Sequence, residues 1–391
     1  MNAHTPGVAI VSPYPDLGPS HHAGSTGVAS YSANLARALR SAGTEVVVTV
    51  PDSPGPRRTE HDGDRICVER GFDAGAKGLR AAIDAAASSG APVVHLQLEL
   101  FLYGAPPTIL AALAALRALR RRGVSTVVTM HQTVDPAAVD RSYTRLHRVP
   151  VPAVAARLGI DVLQRTVRAS TDATVVHEAP FRSIVGGADV IPHGIEDVEP
   201  VAPEVARRRL GIHPDEFVAL CFGFVAPYKG LETALEAGEA AGDPVKVVVA
   251  GGEHPRLGAA GDPYAADLRR RHGAHARFTG WVPGTDVAAW FRAADVALFP
   301  YPEPFSSSGA LALALAAGTP SLVSTPLGRC IGAPSDMLVT DAAALGERLR
   351  RLAKDPAELA ELGHWTNCLA EGRRWDQVAV SHRSVYERVA A

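Results

Sequence analysis

The sequence predicts an α/β protein built from two doubly wound domains in tandem. Its 391 residues, 47% of them hydrophobic, are too many for one comfortable hydrophobic core. Short apolar runs rich in β-branched residues alternate with segments of helical period, which is the pattern of parallel sheets covered by helices on both faces. The alternation stops once, near residues 195–203, and then restarts, so the two predicted domains are about equal in size.

The first half contains six predicted strands and a clear amphipathic helix. The strands lie in the segments GVAIVSP, TEVVVTVP, PVVHLQL, STVVTMH, ATVVHE and ADVIPH. In the helix VASYSANLARALRSAG, apolar residues recur at spacings of three and four residues, at Val28, Tyr31, Leu35 and Leu39, and Gly43 can end the helix. We therefore predict a first domain over residues 1–198.

The second half repeats this pattern after a segment without a clear period. That segment, HGIEDVEPVAPEV, carries prolines and acidic residues and predicts a linker. Five further strands are predicted in FVALCFGFV, VKVVVAGG, ARFTGWV, DVALFP and PSLVST. The second domain is predicted over residues 199–371.

Composition and charge favour a small-molecule ligand over a nucleic acid. The net charge is −2 and the isoelectric point is near 6.7, so no broadly basic surface is expected. The cysteines, Cys67, Cys221, Cys330 and Cys368, have neither zinc-ligand spacing nor the pattern of a disulfide framework. The N-terminus lacks a signal-peptide pattern and no apolar run reaches about 18 residues, so we expect a cytoplasmic protein.

Polar side chains follow four of the predicted strands. His131 ends STVVTMH, His193 ends ADVIPH, Lys229 follows FVALCFGFV, and Glu303 follows DVALFP. Because ligands of open α/β sheets bind outside the carboxyl ends of the strands, these four residues are candidates for ligand contact. A histidine at a strand end can also be a packed structural residue, and both interpretations stay open at this point.

A serine-rich turn in the second half predicts an anion site. Lys229, at the start of the helix in PYKGLETALEAG, opposes the positive end of the helix dipole, and a bound anion would remove that conflict. In PYPEPFSSSGALALALAAGTP, Ser306, Ser307 and Ser308 can cap the next helix, while Gly309 lets a ligand approach its first N–H groups. An ordinary N-cap explains one serine, but three serines with a glycine favour an anion site.

These segments together resemble a known enzyme family. The stretch GFVAPYKGLETALEA, followed by VVVAGG and by the run from ARFTGWVPGTD to SLVSTPLG, resembles the donor half of retaining glycosyltransferases of family 4, which have the GT-B fold. In the first half, GSTGVASYSANLARALRSAGTEVVV is similar to the family's glycine loop and following helix, VVHLQLELFLYG to its acidic strand end, and VIPHGIED to the lead into its linker. RRWDQVAVSHRSVYERVAA is similar to its last helix, here residues 372–391, which crosses back onto the first domain.

The resemblance implies two Rossmann-like domains that face each other across a cleft, with a nucleotide diphosphate sugar bound mainly by the second domain and an acceptor mainly by the first. Lys229 would hold the donor diphosphate, the turn from Ser306 to Gly309 would donate N–H groups to it, and Gly27 would approach it from the first domain. Glu303 would bind hydroxyls of the transferred sugar, and His131 would contact that sugar from the opposite wall. The predicted catalytic residues are therefore Glu303, His131 and Lys229.

The chain departs from the family pattern in the donor half. Phe224 stands where members usually carry an arginine beside the first glycine of the lysine motif, and Ala226 lies two residues further on. The second glutamate of the family, which binds the ribose, would fall at Leu311 or Leu313. One diphosphate cation and the ribose carboxylate must therefore be replaced, and the identity of the nucleotide stays open.

The predicted function is transfer of a sugar, from a UDP- or GDP-linked donor by preference, to a hydroxyl of a glycan, a lipid or a natural product such as an aminocyclitol. Acceptor-site candidates are His22, Glu99 and His193. The alternatives are a GT-B sugar-nucleotide epimerase and a noncatalytic sugar-nucleotide-binding protein. No cofactor is expected beyond the co-substrate, and no metal, because no Asp-x-Asp pair lies at a strand end.

Two further features have competing interpretations. His21 and His22, in the loop SHHAGSTG, could supply the base of an inverting enzyme, but we favour a surface loop and a retaining reaction, in which the departing phosphate takes the acceptor proton. Arg117, Arg120, Arg121 and Arg122 end an apolar helix. We interpret them as a solvated helix end and prefer this to a patch that docks on anionic lipid.

Overall fold

The computed structural model describes residues 7–17, 27–63, 66–99, 102–104, 106–146, 149, 151–195, 201–253, 263–303 and 308–391. The chain divides into two compact units. The first comprises Met1–Arg145, Val149–Gly194 and Arg373–Ala391, and the second comprises Leu146–Arg148 and Ile195–Gly372. His21, His22, Ser306 and Ser307 lie outside the described residues.

The first unit is built on an eight-stranded sheet. Its strands are β1 (Val8–Val11), β2 (Val46–Thr49), β3 (Arg58–Asp62), β4 (Ile66–Arg70), β5 (Val93–Leu98), β6 (Ser125–Met130), β7 (Ala173–Val176) and β8 (Asp189–Val190). The order is β3-β4-β2-β1-β5-β6-β7-β8, and all neighbours pair in parallel except β3 with β4. The central strands are fully buried, as the runs of Val and Leu predict for a sheet covered on both faces.

The sequence does not predict β3 and β4, and their composition explains the omission. β3 reads RTEHD, pairs antiparallel with β4 at the sheet edge and is largely exposed, so it carries no apolar signal. β4 reads ICVER, and its inward positions include Arg70 as well as Ile66 and Val68. A search for apolar strands therefore does not detect an edge hairpin that carries charged residues.

Six α-helices of the described residues connect these strands. They are α1 (Gly27–Ser41), α2 (Gly75–Ser88), α3 (Pro106–Arg121), α4 (Arg141–Leu146), α5 (Ala153–Ser170) and α6 (Ala179–Ile184). The predicted apolar face of α1 is confirmed, since Val28, Tyr31, Leu35 and Leu39 are all buried. The helix ends just before Gly43, whose φ of 86° is a left-handed conformation that favours glycine.

The second unit has a six-stranded, wholly parallel sheet, and its core lies between this sheet and its helices. The strands are β9 (Phe217–Phe222), β10 (Val245–Ala250), β11 (Ala276–Gly280), β12 (Val296–Phe299), β13 (Ser321–Ser324) and β14 (Leu338–Val339), in the order β11-β10-β9-β12-β13-β14. The helices are α7 (Pro203–Leu210), α8 (Leu231–Ala241), α9 (Pro263–His272), α10 (Gly284–Ala293), α11 (Gly309–Ala317), α12 (Thr325–Ile331), α13 (Ala342–Leu352) and α14 (Pro356–Glu371). The α/β fold class is thus confirmed in both units.

The last helix, α15 (Trp375–Ala390), packs on the first unit. Val378, Ala379, Val385 and Tyr386 join the core that contains β1 and α1. Just before the helix, the Arg373 guanidinium donates to both carboxylate oxygens of Glu178, at 2.8 and 3.0 Å, and both side chains are buried. The family resemblance implied that the last helix packs on the first domain. The Arg373–Glu178 ion pair and the apolar face of α15 stabilise this packing.

Within the described ranges, no helix is both long enough and apolar enough to span a bilayer. The arginines at the end of α3 are exposed, and Arg120 Nε donates to Asp172 Oδ1 at 2.7 Å.

Candidate active site

Lys229 lies at the carboxyl ends of the strands of the second unit. It ends a 3-10 turn, Pro227–Lys229, directly before α8. Its side chain is only 7% exposed, and Nζ donates to the Phe222 carbonyl oxygen at 2.9 Å. The same nitrogen lies 5.9 and 5.7 Å from the ring centroids of Tyr228 and Tyr301. A buried ammonium with one of its three N–H donors committed to a carbonyl can still donate to an anion.

Three glycines allow the strand ends to close around this ammonium. A Cβ at Gly223, where φ is 101°, would lie 2.7 Å from Lys229 Nζ, and one at Gly251 would lie 2.0 Å from the Gly223 carbonyl oxygen. A Cβ at Gly230, where φ is 62°, would lie 2.0 Å from the Pro300 carbonyl oxygen. The ends of β9, β10 and β12 therefore approach each other so closely that side chains at these positions would collide with backbone or with Lys229.

Tyr301 connects the lysine to the start of α11. Its hydroxyl lies 3.0 Å from Ser308 Oγ, which also accepts from the Leu311 N–H at 3.2 Å and so caps the helix. The Tyr301 carbonyl oxygen accepts from the Ser324 hydroxyl at 2.5 Å. Burial raises the pKa of Tyr301 to about 12, against the opposing effect of the Ser308 hydrogen bond. The phenol is therefore protonated at neutral pH and holds Lys229 and the helix terminus in one cluster.

The other predicted donor residues lie beside this cluster. Glu303 is half-buried, two residues after Tyr301, on the segment whose Pro300 packs against Gly230. Gly309 is exposed at the first position of α11, and no described atom lies within 4 Å of a Cβ built there. Packing within the described residues does not require this glycine, whereas the Ser308 side chain is an ordinary N-cap.

An aromatic pair lies just beyond the ends of β9 and β11. The ring of Phe224 lies 6.1 Å from that of Trp281, which follows β11 and is 63% exposed. A Cβ at Gly252 would lie 3.3 Å from the Trp281 backbone nitrogen, so the backbone at Trp281 runs close to the end of β10. At this edge, the chain therefore presents aromatic surface.

In the first unit, the carboxyl ends of β6 and β7 bring two histidines together. His131 Nε2 lies 2.8 Å from Gln97 Oε1, and His131 Nδ1 lies 3.1 Å from His177 Nε2. His177 Nδ1 donates to the Ile191 carbonyl oxygen at 3.0 Å. Burial lowers the pKa of His131 well below its ordinary value, and the nearby His177 and other histidines lower it further. Burial thus favours the neutral form of His131, and its two ring nitrogens face Gln97 and His177 of the same unit.

His193 completes the histidine group around the ring of Tyr31. Its ring centroid is 5.0 Å from that of Tyr31 and 5.4 Å from that of His177, and its Nδ1 donates to the Gly194 carbonyl oxygen at 2.8 Å. Burial lowers the pKa of His193 to about 4. A Cβ at Gly194 would lie 2.4 Å from the Trp375 ring, so packing of α15 explains this glycine.

Two of the remaining candidates of the first unit lie at the ends of secondary-structure elements, and one lies outside the described ranges. Glu99 is half-buried immediately after β5. Gly27 is exposed at the first position of α1, where no described atom comes within 4 Å of an added Cβ. His22 lies outside the described residues.

Sequence reasoning missed Tyr301 and His177 as members of these clusters. Both had a signal, since each stands at or just after the end of an apolar strand, in DVALFPY and ATVVHE. What the sequence could not indicate is contact, because Ser308 and His131 lie 7 and 46 residues away along the chain.

Comparison with known proteins places both halves of the chain in one group of enzymes. Residues 216–355 match the family described as Glycosyl transferases group 1, and residues 26–193 match the Glycosyl transferase 4-like domain. The chain belongs to the family 4 type of glycosyltransferases. The two matches cover the strands and helices that carry the Lys229 cluster and the histidine group.

This family 4 chain is also similar to curated glycosyltransferases of Streptomyces. It is 32% identical over 205 residues to a D-inositol 3-phosphate glycosyltransferase of Streptomyces avermitilis, a match that covers 46% of this chain and 42% of that protein. A protein of the same description from Streptomyces bingchenggensis matches to the same extent. The chain thus spans less than half the length of the curated relatives it matches.

Solved structures share the fold of this family 4 glycosyltransferase over nearly its whole length. Sucrose-phosphate synthase from Thermosynechococcus elongatus has a TM-score of 0.75 at 20% identity, covering 97% of this chain and 98% of that one. HepE of Anabaena, solved in complex with UDP and glucose, has a TM-score of 0.68 at 14% identity, covering 99% and 100%. The trehalose-6-phosphate synthase OtsA has a TM-score of 0.70 at 12% identity, covering 97% and 99%. The GT-B fold is thereby confirmed.

Proposed function

We propose that this protein transfers a sugar from a nucleotide diphosphate sugar to a hydroxyl acceptor with retention of anomeric configuration and without a metal ion. The observation that carries the proposal is the cluster of Lys229, Tyr301 and Ser308 at the start of α11. Family membership supports it, and the binding of UDP and glucose by HepE, which shares the fold, supports a UDP-linked donor.

The leaving diphosphate is the chemical reason for this cluster. As the glycosidic bond breaks, negative charge builds on the departing phosphate, and donors already fixed in place stabilise it without reorganisation. Lys229 supplies a full positive charge. The first N–H groups of α11, which begins at Gly309, supply the positive end of a helix dipole. Gly309 leaves the approach to them unobstructed among the described residues.

The roles of the other residues follow from their places on the strand ends. Glu303, on the segment that packs against Gly230, would accept hydrogen bonds from hydroxyls of the transferred sugar. The departing phosphate would take the acceptor proton on the same face, so no protein base is needed. His131, neutral and held by Gln97 and His177, would present an uncharged ring edge toward the sugar.

A donor screen with product analysis tests this function. The full chain would be incubated with UDP-, GDP-, ADP- and TDP-linked sugars, and specific donors would raise its melting temperature by linkage. The expected result is a shift with UDP- or GDP-sugars and release of nucleoside diphosphate that depends on an added acceptor. Isomerisation of the donor without acceptor would indicate an epimerase, and binding without turnover a noncatalytic protein.

The stereochemistry and the metal are tested on the same reaction. An α-linked donor should give an α-linked product, and a large axial–axial coupling of the product's anomeric proton from a gluco-configured α-donor would show inversion. Activity should survive EDTA, and a loss that Mg²⁺ or Mn²⁺ restores would contradict metal independence.

A further inference from the structure

Four polar groups of the first unit form a continuous chain of hydrogen bonds that passes through His131. The chain begins at the Ile191 carbonyl oxygen, which lies 3.0 Å from His177 Nδ1. His177 Nε2 lies 3.1 Å from His131 Nδ1, and His131 Nε2 lies 2.8 Å from the side-chain amide of Gln97. His177, His131 and Gln97 are at most 5% exposed. These groups must therefore satisfy each other's hydrogen bonds rather than bind bulk water.

The Ile191 carbonyl oxygen sets the direction of every hydrogen bond in this chain. A carbonyl oxygen can only accept, so His177 carries its hydrogen on Nδ1. Burial lowers the pKa of His177 well below its ordinary value, so the neutral ring has an acceptor at Nε2. His131 must donate to this acceptor from its own Nδ1. As a neutral ring, His131 then has its acceptor at Nε2.

Gln97 completes the chain because its amide can turn. The oxygen and nitrogen of a glutamine amide have the same shape, and hydrogen bonding decides which end is which. The acceptor at His131 Nε2 needs a donor, so the NH2 group of Gln97 takes the position of Oε1 at the 2.8 Å contact. The amide oxygen then lies 3.2 Å from His95 Nε2, which can donate to it.

The opposite order of hydrogen bonds contains a conflict that no group can relieve. If His131 carried its hydrogen on Nε2 and His177 donated to it from Nε2, the bare Nδ1 of His177 would face the Ile191 carbonyl oxygen at 3.0 Å. Two buried acceptors would then oppose each other, and neither can exchange its ends as an amide can. The Nδ1–H form of His131 is therefore the one that satisfies the whole chain.

We propose that His177 and Gln97 are positioning residues for sugar transfer, which fix His131 in its Nδ1–H form and orient its ring with both nitrogens bonded inside the first unit. This inference rests on the proposed function, in which His131 contacts the transferred sugar. A ring held in this way contacts the sugar through C–H groups and does not take up the acceptor proton. It also adds no positive charge beside an anomeric carbon that becomes positive as the glycosidic bond breaks.

Two amide variants of His177 each keep one of its two hydrogen bonds. The glutamine amide reaches the position of Nε2, so His177→Gln keeps an acceptor for His131 Nδ1–H. The asparagine amide reaches only the position of Nδ1, so His177→Asn keeps the hydrogen bond to Ile191 and loses the one to His131. We expect kcat to fall about fivefold to tenfold in His177→Asn, as for one lost hydrogen bond, and less than about twofold in His177→Gln. KM for the donor should stay within about twofold in both.

Nitrogen NMR measures the form of His131 without any turnover. In the full chain labelled with ¹⁵N at histidine, correlations between ring protons and ring nitrogens distinguish an N–H from a bare nitrogen, and the His131 signals are those lost in His131→Phe. The hydrogen should be on Nδ1 in the unmodified chain and in His177→Gln, and on Nε2, facing the Gln97 oxygen, in His177→Asn. A hydrogen on Nε2 in the unmodified chain would overturn the proposal, whatever the activity.

The contribution of Gln97 is tested separately. Gln97→Met keeps an unbranched side chain of similar length and removes the amide that faces His131 Nε2. The hydrogen should stay on Nδ1, because His177 still accepts it, while kcat falls about fivefold. An unchanged kcat in a Gln97→Met protein that melts like the parent would contradict the positioning role of Gln97.

His382 offers a matched control from the same group of buried histidines. Its Nδ1 lies 2.9 Å from the Val378 carbonyl oxygen, as that of His177 does from Ile191, but within the described ranges its Nε2 makes no hydrogen bond. His382→Asn should therefore keep kcat within about twofold and the His131 hydrogen on Nδ1. If His177→Asn and His177→Gln lose kcat equally, in step with their melting temperatures, His177 is only structural and the proposal fails.

Failure of this inference is distinguishable from failure of the proposed function. If the unmodified chain shows no acceptor-dependent turnover with any donor, glycosyl transfer fails, and the positioning role fails with it. If turnover is normal and His177→Asn keeps the parental kcat, glycosyl transfer stands and the positioning role alone fails.

Discussion

Replacement of Lys229 by methionine is the most direct test of the donor cluster. Methionine keeps most of the unbranched side chain that is buried between Tyr228 and Tyr301 and removes only the ammonium. The Phe222 carbonyl oxygen loses a hydrogen bond of 2.9 Å, so a loss of about 1 kcal/mol in unfolding free energy is expected. The larger effect should be on catalysis, because the ammonium interacts most strongly with the charge that develops on the leaving group.

The magnitude follows from the position of the charge. A unit charge about 4 Å from a phosphate oxygen contributes about 4 kcal/mol at an effective dielectric constant of about 20. Lys229 is 7% exposed, so solvent screens it little, although water that enters the variant would recover part of this energy. We therefore expect a loss of about 2–4 kcal/mol in transition-state stabilisation, or a fall in kcat/KM for the donor of about 30-fold to 1,000-fold.

The assay is steady-state release of nucleoside diphosphate with the donor found by the melting screen. Lys246→Met is a suitable control, because Lys246 belongs to the same sheet, is 41% exposed and pairs with the Asp243 carboxylate. The control should keep kcat/KM within about twofold. A Lys229→Met protein that melts like the parent and keeps its kcat/KM would refute the assignment of the lysine to the leaving group.

Three further predictions concern other parts of the two units. Glu303→Gln should reduce sugar transfer at least about tenfold and leave nucleoside diphosphate affinity within about twofold; calorimetry that shows equal losses would make the residue structural. Gly230→Ala should destabilise the protein by about 3 kcal/mol or more, because its Cβ meets the Pro300 carbonyl oxygen at 2.0 Å. Gly211→Ala, with a φ of 64° and no described atom within 4 Å of its Cβ, should cost only about 1 kcal/mol in a denaturant titration. Acid should destabilise the first unit, because burial lowers the pKa of His382 from 6.5 to about 4. As the pH falls, the unfolded chain therefore binds a proton at this histidine before the folded chain does. The contribution of His382 to stability is full above about pH 6.5 and is lost at about 1.4 kcal/mol per pH unit down to about pH 4. A melting temperature that is flat or rises over that range would contradict the neutral, buried state of this ring.

The amino-acid sequence alone was sufficient to predict the layers of the fold and most of the strand ends. Parallel strands buried on both faces must be continuously apolar, so runs such as VVVT and VVHLQL are unmistakable, and the polar residue that follows each run marks the carboxyl edge. This reasoning singled out Lys229, His131 and His193 as strand-end residues from local pattern only. It failed for β3, where an exposed edge strand has no need of apolar residues.

Only the tertiary structure decided which of these residues meet and what they do there. The sequence singled out Lys229 and Ser308 separately, but the link between them is Tyr301, whose hydroxyl and ring face two different segments. The sequence placed His131 at a strand end, but its burial and the engagement of both its nitrogens depend on Gln97 and His177, from neighbouring strands. The physical reason is that periodicity encodes which side of a strand or helix is buried, whereas contacts and shifted pKa values depend on neighbours that are distant in sequence and adjacent only once the sheet has formed.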